Sequence, residues 1–507
     1  MQFIFLIYFY LYNSFLISEV FIKTFFYSVK FEIEKESVVM LNFIASINEL
    51  FWGAILILLL VGTGIFYTIK LKFVQVRKFK KGVSQLTGNF NINGKDADHN
   101  GMSSFQALAT AIAAQVGTGN LAGAATAIVS GGPGAIFWMW VIAFFGMATI
   151  YAEATLAIET RQKAPSGEFL GGPVYYIRTA FKGGFGRFLA GFFAVAITLA
   201  LGFFGCMVQS NSIGATFSTA FGVPGWTVGV VLVILCGFIF LGGTKRLASV
   251  TEKIVPIMAA IFILGGLILL IMRIKYIPAT FGMIFKYAFE PQAIIGGGFG
   301  MALKTAISQG AKRGLFSNEA GMGSTPHAHA QAHVKNPHDQ GTVAMIGVFV
   351  DTFVILTLNA LVVISTMYTE DGAIAGGVIP KGIDKTNLAQ TAFASAFGDK
   401  IGPMFVAICL FFFAFSTILG WNMFGKINMI YMFGEKSVKV YTAIALVFIF
   451  LGTCASNDLV WELSDMFNQL MVIPNVIALF ALTGMVLHIE HTRDEEKHKV
   501  VEEKKKK

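Results

Sequence analysis

The chain has 507 residues, of which 55% are hydrophobic and 13% charged, with a mean hydropathy of +0.69; soluble domains carry about 25% charged residues, so an ordinary globular class is excluded. The net charge of +9 does not mark a nucleic-acid surface, because Lys and Arg lie in short segments between apolar runs and in the terminal EEKKKK, where the cytoplasmic bias of membrane proteins puts them. Apolar runs of about 20 residues recur along the chain, and each can cross a ~30 Å hydrocarbon core as a helix; they are not the short alternations of a barrel, so the fold class is an all-α polytopic membrane protein.

Residues 1–39, beginning MQFIFLIYFYLYNSFLISEVF, are apolar and aromatic but lack a basic start and a small-residue cleavage site. Met40 opens a more usual membrane-protein start, so 1–39 is either upstream of the true start or an extra interfacial or spanning segment. A single transmembrane domain is expected over 40–490, followed by a charged cytoplasmic tail, 491–507.

Eleven spans are expected. The first covers 50–68 and leads into a basic loop with Lys70, Lys72, Arg77, Lys78, Lys80 and Lys81. The others are 103–129, 134–158, 187–219, 226–242, 254–272, 293–325, 341–366, 401–425, 439–455 and 468–488. With the basic loop inside, alternation also puts Arg161, Lys163, Arg178, Lys245, Arg246, Lys253, Arg313, Lys335, Lys426, Lys436, Lys439 and the C-terminus inside. The outer stretch 367–400 contains NLAQTAFASAFG, helical in period and too short to span; it is read as a cap across the outer mouth or an ordinary surface helix.

Setting aside the first span, the remaining ten form two sets of five, 103–272 and 293–488. Each set opens with a glycine-interrupted segment, one broken at Gly117-Thr118-Gly119-Asn120, the other around Gly310 to Ser324. Five spans per set force opposite orientations, and broken segments at matching places in inverted halves point to the binding site of a secondary transporter. Unwinding frees backbone groups that cost several kcal/mol each in hydrocarbon unless satisfied. Freed carbonyls and a helix C-terminus suit a monovalent cation. The N-terminal end of the next half-helix, near Asn120 and Leu121, suits a carboxylate. Gly117 and Gly119 let a ligand approach the backbone, and Thr118 and Asn120 add side-chain oxygens. The plainer alternative is a kink for helix packing.

Other features carry less. GTGNLAG has the spacing GxGxxxG, follows a helical run and lacks the later acid of a dinucleotide site. His327, His329, His333 and His338 read as a solvated cytoplasmic loop, since only His329 and His333 have zinc-ligand spacing. Cys206, Cys236, Cys409 and Cys454 lie in or beside apolar runs without CxxC spacing and read as packing residues. Asp351 is the clearest intramembrane acid, costing roughly 2.5–3.5 kcal/mol there; it is either a proton or ion relay or a partner of Lys312 or Arg313. Glu319 and Lys304, in the second broken segment, are read as a pair, a gate or a vestibule lining, and Glu153 as snorkelling or paired near the inner end of its span.

GTGNLAGAATAIVSGGPGAIFWMW (Gly117 to Trp140) and KRGLFSNEAGMGSTPHAHA (Lys312 to Ala330) resemble the two signature blocks of the alanine/glycine:cation symporter family. The stretch from Leu41 to Phe79 resembles that family's opening and FSTILGWNMFG (Phe415 to Gly425) its eighth core helix. The likeness spans residues 40–490; the leader departs from it, and Ser324-Thr325-Pro326 stands where the block often reads SAP. The resemblance implies a LeuT-like five-plus-five inverted repeat with one extra N-terminal helix, in the inner membrane of a prokaryote. It implies sodium-coupled uptake of alanine or glycine by a chain functional as a monomer, with no cofactor beyond Na⁺. By motif position, substrate contacts fall on Gln115, Thr118, Gly119, Asn120, Gln209, Thr417 and Trp421. A sodium site between the first and eighth core helices would use backbone oxygens near Ala113 and Val116 with the Ser416 and Thr417 hydroxyls. Thr417 and Trp421 are four residues apart and share a helix face; Gln209 is an amide among apolar residues and needs a partner. Proton coupling through Asp351 is the alternative mechanism. A channel lacks a filter motif here, and a membrane enzyme lacks a triad, metal cluster or cofactor motif.

Overall fold

The computed structural model describes residues 42–48, 55–88, 102–164, 167–290, 299–375, 377, 379–380, 383 and 387–492. The 1–39 leader and the tail from 493 lie outside the described residues, as do 49–54 at the start of the first expected span. In chain order the helices are α1 (Leu56–Lys70), α2 (Phe79–Gly88), α3 (Ser104–Gln115), α4 (Ala124–Gly131), α5 (Ala135–Thr160) and α6 (Pro173–Ala180). There follow α7 (Gly183–Phe221), α8 (Gly225–Leu241), α9 (Gly243–Met272), α10 (Ile277–Phe289), α11 (Phe299–Asn318) and α12 (Pro337–Met367). The last four are α13 (Leu388–Phe397), α14 (Ile401–Phe433), α15 (Val438–Gly452) and α16 (Asn457–Ala481).

Six described helices are long and apolar enough to cross a membrane, namely α5, α7, α9, α12, α14 and α16. The pair α3 and α4, bent by 45°, makes a seventh if counted as one broken span. Helices α1 and α8 are apolar but shorter, and α11 carries Lys304, Lys312 and Arg313. The membrane character shows in the faces: on α8 and α9, Ile234, Phe238, Leu264, Ile268 and Ile271 are exposed while Leu232, Cys236, Phe262 and Leu269 are buried. That is the arrangement expected when hydrocarbon, not water, is the solvent.

Local sequence accounts for several boundaries. Ser103 and Gln106 form a reciprocal capping box at the start of α3. Pro173 and Pro337 stand in the first turns of α6 and α12, where the missing N–H is no loss. Helix α10 was not anticipated; its 13 residues are too short for a span. The expected outer helix is present as α13, with Phe393 beside Phe262, Phe397 and Phe405 and Gln390 donating to the carbonyls of Thr216 and Pro403. Nearby, Arg273 grips both carboxyl oxygens of Asp371 at 2.6 Å, and this hydrogen-bonded guanidinium holds the carboxyl well below the usual carboxylate range.

The two broken segments are also tied together away from their breaks. The Met102 N–H donates to the Gln331 carbonyl (3.1 Å), and the His333 N–H to the Met102 carbonyl (2.9 Å). Arg161, at the end of α5, donates to the carbonyls of Ala330 and Ala332. The histidine stretch is therefore not a solvated loop: His327 is sandwiched by Phe193 and Phe424, His329 bonds Gln340, His338 bonds Tyr151, and only His333 is exposed. No group of three His, Cys, Asp or Glu able to hold a metal occurs among the described residues. Cys206, Cys236 and Cys409 are buried packing residues, while Cys454 is exposed.

Helices α14 and α3 approach closely at Gly420, where an added Cβ would lie 2.9 Å from the Ala114 Cβ. Small residues at crossings are the usual basis of packing in membranes. The variant Gly420→Val should force these helices apart at about 1–3 kcal/mol, seen as a lowered melting temperature of the detergent-purified protein.

Candidate functional site at the paired helix breaks

Helix α3 ends at Gln115, and Val116 turns the chain out of helical geometry (φ −81°, ψ 88°). The chain re-enters through a π-helical turn, Gly119–Gly123, before α4. The opening is narrower than the four residues expected, and its backbone is satisfied from the sides. The Gly117 N–H donates to Asn120 Oδ1 (3.0 Å), and the Thr118 N–H to Gln209 Oε1 (3.1 Å). Gly117 has to be a glycine, since a Cβ there would sit 2.4 Å from Thr417 Oγ1. Gln209 reaches the break from α7, just beyond a second π-helical turn, Thr198–Gly205. Such turns recur at functional sites because they re-aim the side chains that follow.

Three polar atoms around this break are buried without a hydrogen-bond partner: Gln115 Oε1, Thr118 Oγ1 and Gln209 Nε2. Two acceptor-capable oxygens and one donor, from three residues nominated as substrate contacts, thus face a place where bonds are unmade. Beside the same break, Thr417 Oγ1 donates to the Ala113 carbonyl (2.8 Å) and lies 3.4 Å from the Val116 carbonyl. Ser416 Oγ lies 3.4 Å from the same Ala113 oxygen. All four nominated sodium groups therefore meet in one cluster of neutral oxygens. Each hydroxyl can turn its hydrogen toward the Phe413 carbonyl, within 3.0 Å of both, and offer lone pairs to a cation.

The second break is shorter than expected. Helix α11 runs unbroken through Gly310 to Asn318, and only Glu319 to Ser324 is unwound. Glu319 (φ 57°), Gly321 (φ 84°) and Gly323 (φ 81°) have left-handed backbones, which costs a non-glycine residue about 1–2 kcal/mol. Glu153 of α5 holds this loop: its carboxyl accepts from the N–H groups of Gly321 and Gly323, both at 3.0 Å, and from Asn475 Nδ2 at 2.6 Å. Asn475 also donates to the Gly321 carbonyl and accepts from the Tyr176 hydroxyl. Glu153 thus neither snorkels nor pairs with a cation; it is wholly buried and caps the loop. Sequence reading missed this role because the partners lie 168, 170 and 322 residues away. The weak signals present were an acid inside an apolar run and the polar Asn475 inside another.

Glu319 does not pair with Lys304, which is exposed. Its carboxyl accepts from Ser324 Oγ and from Trp421 Nε1, each at 2.5 Å. Trp421 therefore stands at the second break, edge-on to Phe316, while Thr417 one turn earlier stands at the first. Asp351 is likewise not an ion-pair partner of Lys312 or Arg313, because both cations face Asp465. It lies on a third π-helical turn, Phe349–Leu356, and accepts from Asn120 Nδ2 (2.7 Å), Ser317 Oγ (3.0 Å) and Thr352 Oγ1 (2.9 Å). Gly119 packs on Ser317, where a Cβ would be 3.0 Å from its Cα. Gln115 Nε2 donates to the Asn318 carbonyl (2.8 Å), so the two breaks are directly bonded.

Replacing Glu153 by Ala strands two backbone N–H groups and the Asn475 amide, each costing about 1–3 kcal/mol when buried unpaired. Glu153→Ala should fail to give a monodisperse peak in gel filtration, whereas Glu153→Gln keeps an acceptor oxygen and should fold with a lower melting temperature. An alanine variant that melts like the parent would show that the loop is held otherwise.

Residues 37–507 match the family described as the sodium:alanine symporter family. The chain is 42% identical over 450 residues to the sodium/alanine symporter AgcS of Methanococcus maripaludis, covering 88% of this chain and 95% of that protein. It is 40% identical over 459 residues to the putative sodium/proton-dependent alanine carrier protein YrbD of Bacillus subtilis (88% and 91%). To the probable sodium/glutamine symporter GlnT of Bacillus subtilis it is 39% identical over 441 residues (87% of each). Among solved structures, the Eremococcus coleocola manganese transporter in complex with an aromatic bis-isothiourea compound superposes with a TM-score of 0.50 at 12% identity, over 73% of this chain and 76% of that one. That likeness bears on fold alone, and it is the LeuT-like transporter fold that the sequence led us to expect. With its several apolar helices, the chain is a multi-pass protein of the prokaryotic plasma membrane, and it belongs to the sodium:alanine symporter family.

Proposed function

We propose that this protein is a sodium-coupled symporter that imports small neutral amino acids, alanine first and glycine second, by alternating access around the paired breaks. The observation that carries the reading is the set of unpartnered buried atoms, Gln115 Oε1, Thr118 Oγ1 and Gln209 Nε2, beside a cluster of neutral oxygens. An amino acid brings both an ammonium and a carboxylate, and this set offers acceptors to one and a donor to the other. Gly117 and Gly119 leave no side chain between substrate and backbone, and Trp421 bounds the space toward the second break. Na⁺ would sit among the Ala113 and Val116 carbonyls and the Ser416 and Thr417 hydroxyls, the neutral oxygen set suited to a hard monovalent cation. The names of the relatives from Methanococcus maripaludis and Bacillus subtilis support sodium and alanine as cargo.

In this reading eleven helices cross the membrane. Ten of them form inverted halves, 103–272 and 293–488, that rock about the breaks in a single chain, with lipid as its only obligate surroundings. Sodium bound on α14 and α3 draws these helices together, and the substrate completes the bonds at the break.

A second reading has one specific observation in its favour. Asp351 is an acid bonded directly to Asn120 of the first break and to Ser317 of α11, so a proton or cation there would act on both broken segments. It accords with the sodium/proton-dependent description of the Bacillus subtilis alanine carrier.

The deciding experiment is labelled-alanine uptake into proteoliposomes under imposed gradients of Na⁺, H⁺ or neither. Concentrative uptake is expected only with Na⁺ outside, and Thr417→Ala should raise the half-saturating Na⁺ concentration by about tenfold, the effect of losing one oxygen ligand worth roughly 1.4 kcal/mol. Uptake driven by H⁺ alone and lost in Asp351→Asn would transfer coupling to Asp351.

A further inference from the structure

We propose that Lys312 and Arg313 form a binding site for a monovalent anion on α11, one to two turns before the second break. The two cations occupy consecutive positions on α11, five and six residues before its end at Asn318. They converge on a single acid of α16: Lys312 Nζ is 2.7 Å and Arg313 Nη2 3.4 Å from the same oxygen, Asp465 Oδ2. The side chains of Lys312, Arg313 and Asp465 are 12%, 8% and 1% exposed. Two positive charges against one negative leave an excess of one positive charge in a largely buried place, and a buried cation without a counter-charge is costly. The neighbouring acid along α16, Glu462, accepts from Asn48 Nδ2 and forms no ion pair with either cation.

The guanidinium shows where the anion binds. Arg313 Nε and Nη1 are buried and make no hydrogen bond, and 3.4 Å is too long for a good one from Nη2. The group lies 4.6 Å over the ring of Trp461. A free guanidinium N–H next to an ammonium matches a halide or one end of a carboxylate. Charge balance selects a monovalent ion, since one negative charge neutralises the site and two would reverse it. Such an anion comes either from solution, as a free halide, or as the carboxylate of an amino acid. The site does not depend on which solute is carried.

The test uses the purified full-length protein at constant Na⁺ and ionic strength, with isethionate as the reference anion. A free-halide site is expected to give a saturable rise in melting temperature with chloride or bromide, and bromide quenching of Trp461 fluorescence. A carboxylate site is expected to leave halides without effect, while acetate and alanine, but not alaninamide, raise the melting temperature. In either case Arg313→Gln and Lys312→Gln should abolish the response. Asp465→Asn should strengthen it by about tenfold or more, as expected when a unit negative charge is removed at close range. A purely structural ion pair predicts the opposite for Asp465→Asn, a weakened protein without anion response. Melting that is indifferent to both anion classes, or a response unchanged in Arg313→Gln and Lys312→Gln, would overturn the proposal.

Discussion

The structure depends on one constraint: a backbone opened within hydrocarbon must find all its hydrogen bonds inside the protein. The first break meets it with Asn120, folded back on Gly117, and with Gln209 from α7. The second meets it with Glu153 from α5 and Asn475 from α16. In both cases the satisfying groups come from helices far along the chain. Neither break can exist in its own segment, and the bundle around them is a condition of their geometry.

The two breaks then differ in what is left over. Around the second, the Glu153 and Asn475 side chains form a network with Tyr176, and the Thr325 hydroxyl beside it is left without a partner. Around the first, buried polar atoms of Gln115, Thr118 and Gln209 remain without partners. Fully satisfied networks rigidify, while incomplete ones are where a ligand gains most. In the proposed function the loop at Glu319 to Ser324 would be the fixed side of the site and the loop at Val116 to Thr118 the receptive side. The bond from Gln115 to the Asn318 carbonyl and the Asp351 contacts to both Asn120 and Ser317 join the two sides. Helix α14 touches the first with Thr417 and the second with Trp421, so a shift of this one rigid element is felt at both breaks.

Much of this was legible in the sequence for physical reasons. The first break was readable because Gly117 and Gly119, with Thr118 and Asn120 beside them, interrupt an otherwise apolar helix, and Thr417 with Ser416 because FSTILGWNMFG resembles the family's eighth core helix. The exact limits of the second break were not legible. Its glycine-rich stretch Gly310 to Asn318 stays helical, since Gly310 and Gly314 pack closely on α5 at Ala135 and Met139 and serve packing instead of unwinding. Charged residues were the least readable class. Asp351, Glu153, Glu319 and the buried histidines each had several conceivable partners, and the sequence alone ranks such choices by proximity along the chain.

By itself, the sequence determined that the chain is a helical membrane protein, where its apolar runs lie, that two of them are interrupted, and which family its signature blocks resemble. Those follow from local composition and spacing, which hydrocarbon reads directly. Tertiary structure alone decided who satisfies the interruptions: Glu153 for Gly321 and Gly323, Gln209 for Thr118, Asp465 for both Lys312 and Arg313. The reason is that a buried polar group must bond to whatever packing brings within about 3 Å, and packing brings together residues up to 421 positions apart.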